Sequence, residues 1–514
     1  MPKTNSNALR HLIDSLTKAE KRHFKLYAKR NFGDKDMKFL ILFDLYDRGN
    51  ELDPAHLKKK LPGTKGSSLS NLKSHLYEQL LISLRLLHHS DPSVRIDELI
   101  SFSKVLYTKG LYLQSLNQLY KARSIAETYQ DDLALYTINH MERKIELFFV
   151  TESEPNQADK IVERNNELRT ILTSSDEWSN AAIRLYDYYL KFGHVKNQRQ
   201  FRKVAIIFKD ETSKIDTEGM SVRSKVYQHM AYTWFHFITQ SFVLCYKHGC
   251  SWIAEMRENP VLLKEEPIIY LKGIHNVLSA LFYSNKPKQF ESYYALLNSF
   301  IEENSTSFDF NTRLMANIYH YIARMNHRFL NGNFRNNEVF RNELEEWLAQ
   351  HDSYIDTNRV QVFYYKIACM HFGADEFKAS IQVLNKIIHS DTKESHLRQD
   401  VQCFARILNL VAHYELGNHE LVEYQLKSTY RFLIKYGDLQ EVQKLIIAFI
   451  RKSVHMNRNE MTPHFIELRT NLIAIFEDPF ERRPLLYLDL ISWLTSRIEQ
   501  KPVEEVIRER QRLR

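Results

Sequence analysis

The stretch "DEFKASIQVLNKI" at 375–387 decides the fold, because three companions stand at nearly constant distance from it in the same chain. They are "KQFESYYALLNSF" (288–300), "GNFRNNEVFRNEL" (332–344) and "GNHELVEYQLKSTY" (417–430). Their anchoring rings are Phe290, Phe334, Phe377 and His419, separated by 44, 43 and 42 residues, and a small or polar residue precedes each by two positions. Each anchor follows one helical stretch and opens another. A fixed period of this size is how stacked helix pairs read in sequence, since one pair cannot bury its apolar face alone. The pattern predicts a long binding surface in place of an enzyme pocket.

Composition agrees. The chain of 514 residues holds 13 Gly and 12 Pro, where average usage would give roughly 36 and 26. So few breakers predict long helices joined by short turns, and no strand-rich segment with Gly-containing hairpins interrupts them. The fold class expected is all-α. With 28 Tyr and 30 Phe the chain has ample material for a core. The opening "MPKTNSNALRHLIDSL" lacks the apolar core of a signal peptide, and "PLLYLDLISWLTSRI" is too short to span a bilayer of about 20 residues. Four cysteines form no stapling framework. These features predict a cytoplasmic protein without a membrane segment.

The first clear helix pair lies in "LISFSKVLYTKGLYLQSLNQLYKARSIAETY". Counting from Gly110, Tyr112 falls at +2, Ser115 at +5, Leu116 at +6, Leu119 at +9 and Ala122 at +12. This resembles the second half of a tetratricopeptide repeat, in which small positions let helices approach and large ones fill the groove between neighbours. The period here exceeds the family's length of about 34 residues, so the units are lengthened and degenerate. The resemblance implies an α-solenoid over 91–450, closed by capping helices and a charged tail over 451–514. It also implies that the first helix of each pair lines a peptide-binding surface, where counting back from the turns places Asn326, Tyr365 and Tyr414. Between the regular sections, turns are expected at Gly193 and Gly249, a connecting loop at "TSKIDTEGMS", and a lengthened unit or insertion before Phe290.

All of the net charge sits at one end. Residues 1–90 carry 17 Lys+Arg against 9 Asp+Glu, which gives the full +8 of the chain, and the rest is neutral. A basic head with its own partner is expected there, ending near Asp91-Pro92, where a new helix can start. Thr17 is placed to cap a helix with Glu20 three residues on. A short helix "PAHLKKKL", the turn "PGTKGSS" and a longer helix from Ser67 resemble a helix-turn-helix or winged-helix arrangement. That resemblance implies Ser70, Asn71 and Lys73 near base edges, with Lys58, Lys59, Lys60 and Lys65 neutralising phosphates. The plainer alternative, a capping bundle with lysines on its wet face, stays open.

No residue set recommends catalysis. Cys245, His248 and Cys250 have neither the spacing nor the second ligand pair of structural zinc. His419-Glu420 begins a zinc-protease motif without its second His, and "GTKGSS" is not a phosphate loop. Neither a Gly-rich cofactor loop nor a nucleophile elbow is present. The function expected is a non-catalytic protein- or peptide-binding scaffold without cofactor or metal. The alternative is a DNA-binding regulator with a tetratricopeptide-like sensor body.

Overall fold

The computed structural model describes residues 8–32, 37–48, 60–61, 67–149, 156–335, 338–389, 399–436, 439–454, 456, 460–476, 478, 480–481 and 489–512. Among them lie 24 helices and no strand, so the chain is all-α and consistent with a helical repeat. It divides into two compact units, Met1–Thr170 and Ile171–Arg514.

The first unit begins with α1 (Ala8–Ser15), α2 (Lys18–Phe32), α3 (Met37–Asp47) and α4 (Ser67–Leu87) around Ile13, Phe24, Phe39, Phe43, Leu76 and Leu80. The cap expected at Thr17 is formed: the Thr17 amide donates to the Glu20 carboxylate at 2.6 Å, and the Glu20 amide donates to Thr17 Oγ1 at 3.2 Å. A second core belongs to α5 (Pro92–Thr108), α6 (Tyr112–Thr128) and α7 (Asp132–Glu146). Helix α5 starts at Pro92, where the proline's missing N–H is no loss. Helix α8 (Gln157–Phe192) runs across the division between the units.

The second unit continues with α9 (Gln198–Thr212), α10 (Val222–Ile238), α11 (Phe242–Glu258), α12 (Pro260–Glu265), α13 (Pro267–Tyr283), α14 (Pro287–Asn304), α15 (Phe310–Leu330), α16 (Glu338–His351), α17 (Thr357–Gly373), α18 (Phe377–Ile388), α19 (Gln399–Glu415) and α20 (His419–Lys435). The expected loop at 212–221 joins α9 to α10. The expected insertion is the short helix α12.

What repeats most regularly is the turn. Gly110, Gln130, Gln240, Asn285, Gly332, Asp375 and Gly417 all have φ between 50° and 72°. At each, the residue's own amide donates to the carbonyl three back, and the next amide reaches five back. Examples are Gly110 to Tyr107 with Leu111 to Leu106, and Asp375 to Phe372 with Glu376 to His371. This is a Schellman turn, which satisfies the open carbonyls of one helix and aims the chain into the next. Counted from the turn residue, position +12 is buried every time, as Ala122, Glu142, Trp252, Leu297, Leu344, Ile387 and Thr429. Position +5 is buried at Ser115, Cys245, Phe290, Ser380 and Val422. Ser115 and Ser380 also make the same bond, each hydroxyl donating to the carbonyl twelve residues earlier.

Two expectations are corrected by this register. Phe290 is not equivalent to Phe334, Phe377 and His419: they follow their turns by two residues, whereas Phe290 follows Asn285 by five and Pro287 holds the equivalent place. Gly249 is not at a turn but inside α11, where an added Cβ would stand 2.6 Å from the Val277 side chain of α13. Gly273 of α13 reciprocates, its own Cβ position lying 3.3 Å from Trp252 and Ile253. The small residues let these two helices pack at close range.

Candidate functional site

The chain ends in α21 (Glu441–Ser453), α22 (Met461–Phe476), α23 (Leu490–Glu499) and α24 (Val503–Arg512). The last two return along the row of turns. Helix α24 spaces Val503, Val506 and Ile507 on one buried face, and Val503 and Ile507 pack with Phe334 and Ala374. Its Glu504, only 9% exposed, accepts the backbone amides of Phe334 and Arg335, each at 2.6 Å. Arg508 donates to the Gly332 carbonyl at 2.9 Å, and Gln511 donates to the Asn285 side chain at 2.7 Å. In α23, Arg497 bonds Asp375 and Glu415 at 2.8 and 2.7 Å, and the Trp493 indole also donates to Glu415. Four successive turns are thus tied to the same two helices.

Removing the Glu504 carboxylate leaves the buried Phe334 amide and the part-buried Arg335 amide without their acceptor. Glu504→Ala is expected to destabilise the second unit by about 2 kcal/mol, read by urea unfolding, and to speed amide exchange at Phe334 and Arg335. Unchanged exchange there would show that the carboxylate does not hold the turn.

Under these helices lies a cavity of about 740 Å³. Its walls come from the turns at 240–244, 282–285 and 329–334, from 362–373 of α17, and from α23 and α24. The surface is mainly apolar: Phe242, Phe282, Phe329, Phe334, Phe372 and Trp493 contribute rings. A few polar groups are fixed at its edge. Arg510 pairs with Asp489 at 2.9 Å. Lys366 donates to Asn326 Oδ1 at 2.6 Å and lies 5.1 and 5.4 Å from the centroids of Phe282 and Phe329. Burial holds the Tyr365 hydroxyl protonated well above its usual range and pushes the Cys369 thiol up to about 12, so both stay neutral at physiological pH. Val243, 76% exposed, and Leu244 present bare apolar surface at the opening.

The chain matches no family model, no curated protein and no solved structure.

The residues chosen from sequence fall in different places. Tyr365 lines the cavity, and Asn326 stands behind it as the anchor of Lys366. Tyr414 is elsewhere: its hydroxyl points to the Met461 sulfur at 3.7 Å and its ring packs on Phe449. In the head, Lys60, Ser70 and Asn71 are exposed and Lys73 half-buried, while Lys58, Lys59 and Lys65 lie outside the described residues. Cys250 Sγ sits 3.1 Å from the Tyr293 hydroxyl, and Cys245 is buried. Among the described residues no His, Cys, Asp and Glu cluster has metal-holding geometry, and no helix is long and apolar enough to cross a membrane. The contribution of α24 was missed because "PVEEVIRERQRLR" reads as charged. The i, i+3, i+4 spacing of Val503, Val506 and Ile507 was the available signal.

Proposed function

We propose that the chain is a non-catalytic protein- or peptide-binding scaffold on a tetratricopeptide-like array, whose cavity in the second unit receives apolar side chains of a partner segment. The observation that carries this reading is the apolar cavity itself, walled by successive turns and edged by Lys366, Asp489 and Arg510. Its size and its few fixed polar groups suit recognition of a compact apolar cluster. Helix α24 supports a helical partner, because it already lies on the same turns, with apolar residues inward and charged groups bonding turn carbonyls and amides. The tetratricopeptide-like assignment is supported by the +5 and +12 positions and the lengthened spacing of the turns. Four unlinked thiols fit the reducing cytoplasm.

Peptides selected from a random helical library on the full-length chain provide the test. Val243→Asp with Leu244→Asp places charge at the opening on residues already exposed, and the selected peptides are expected to lose about tenfold or more in affinity. Peptides that bind the double variant undiminished would remove the cavity from the recognition surface.

A further inference from the structure

The basic head contains a second arrangement of cations that the lysine run at 58–60 obscures. On α2, Lys18, Lys21, Arg22, Lys25 and Lys29 fall within an arc of about 100° at 100° per residue, over an axial length of about 16 Å. The sides of the helix that flank and oppose this arc are fixed. Phe24 and Ala28 are buried, Phe24 packs on Phe39 and Phe43 of α3, and Tyr27 and His23 bond Gln79 and Ser83 of α4. The basic arc therefore faces outward at Lys18, Arg22 and Lys29, while Lys21 and Lys25 are half-buried against α3. Two of its members are oriented from α3: Lys21 pairs with Asp47 at 2.9 Å, and Lys25 with Asp44 at 2.8 Å and Asp47 at 3.6 Å. Lys18, Arg22 and Lys29 are exposed, and among the described residues no carboxylate pairs with them.

We propose that this face of α2 docks on the phosphate backbone of duplex DNA without reading its sequence. Each strand of duplex DNA places a phosphate about every 3.4 Å of the helix axis, so a row of cations about 16 Å long meets several at once. The face carries no short amide or hydroxyl side chain placed among the cations to read base edges, which assigns it to positioning. A membrane surface is a poorer occupant, because an interfacial helix needs a broad apolar face and that of α2 is spent on α3 and α4. Among the described side chains, Leu26 is the one large apolar group of α2 exposed beside the arc. An acidic protein is poorer too, since protein interfaces centre on buried aromatic or aliphatic anchors. Single-stranded RNA is recognised by stacking on exposed rings, and among the described side chains the arc from Lys18 to Lys29 holds none. This proposal is independent of the cavity in the second unit.

The test is fluorescence anisotropy of the full-length chain with a labelled random-sequence duplex. The variants are K18Q/R22Q/K29Q and, with the same loss of charge on exposed lysines of the second unit, K288Q/K378Q/K427Q. The α2 variant is expected to bind about tenfold or more weakly, with a log–log salt slope shallower by about 2 to 3, while the control stays within about twofold of the parent. The charge-retaining K18R/R22K/K29R is expected to bind like the parent, which separates lost charge from lost structure. The proposal is overturned if the parent does not bind duplex, if both neutral variants weaken equally, or if the charge-retaining variant also fails. It is likewise overturned if polyglutamate or anionic vesicles compete as well as DNA at equal charge.

Discussion

Gly332→Asn is expected to destabilise the second unit by about 3 kcal/mol, whereas Gly417→Asn leaves it within about 1 kcal/mol of the parent. The two glycines hold the same place in the same kind of turn, with φ of 57° and 72°. Left-handed backbone is not what separates them, for Asn285, Gln240 and Asp375 adopt it at the equivalent position with side chains attached. The difference is what lies outside. A Cβ on Gly332 would stand 2.7 Å from the Glu504 carbonyl and 3.3 Å from Ile507, so α24 has to lift. A Cβ on Gly417 meets nothing nearer than the His419 ring at 3.9 Å. Urea unfolding of the two variants measures the contrast, and equal losses would mean that the turn, not the docked helix, demands glycine.

Acidification from pH 7.5 to pH 5 is expected to lower the melting temperature, and H236Q/H248Q is expected to reduce that drop by about 3 °C, equivalent to about 2 kcal/mol after discounting for partial exposure. His229 and His236 of α10 meet His248 of α11. The Nδ1 atoms of His229 and His248 lie 3.2 Å apart, and the His236 and His248 rings stack at 5.5 Å. Tyr232 covers His248 at 4.5 Å, and Phe208 of α9 covers Tyr232. Burial first, then neighbouring positive charge from His248, pushes His236 down to about 4. Burial, then His229 and Lys247, pushes His248 to about 4 as well, and burial with Lys225 lowers His229. At His236 and His248 the unfolded chain takes up a proton near pH 6.5 and the folded chain only near pH 4. Their contribution to stability is therefore complete above pH 6.5 and is lost as the pH falls toward 4. His371 and His413 are lowered by burial too, so the double variant flattens part of the profile. An unchanged profile would assign the acid sensitivity to other groups.

Much of this architecture was legible in the residues. Scarce Gly and Pro announced helices, Thr17 with Glu20 announced a cap, and Ser115, Leu119 and Ala122 announced the packing positions that recur in later pairs. The period itself was visible, but its phase was not. The turns take left-handed backbone on Gln, Asn and Asp as often as on Gly, and Pro287 stands where its counterparts place a ring, so Phe290 drew the register three residues late. Gly249 looked like a turn because the helix it serves lies across space, not along the chain. Of the binding candidates, Tyr365 reaches the cavity through its helical register. Tyr414 does not, because α22, far along the chain, covers it. The row on α2 was written in the sequence at 18, 21, 22, 25 and 29, but three adjacent lysines at 58–60 carry more obvious charge and less geometry.

A stack of helix pairs in which each pair touches only its neighbours can unravel from either end, a few units at a time. The returning helices α23 and α24 change that. Glu504 and Phe334 are 170 residues apart in the chain, and Gln511 and Asn285 are 226 apart. Contacts of such separation close very long loops, which slows assembly but joins the turns at Asn285, Gly332 and Asp375 into one event. During synthesis those pairs emerge well before the helices that clasp them, and they stay incompletely covered until α23 and α24 have emerged as well. Once clasped, they open together, so the second unit has the cooperativity of a globular domain in the outward form of a repeat.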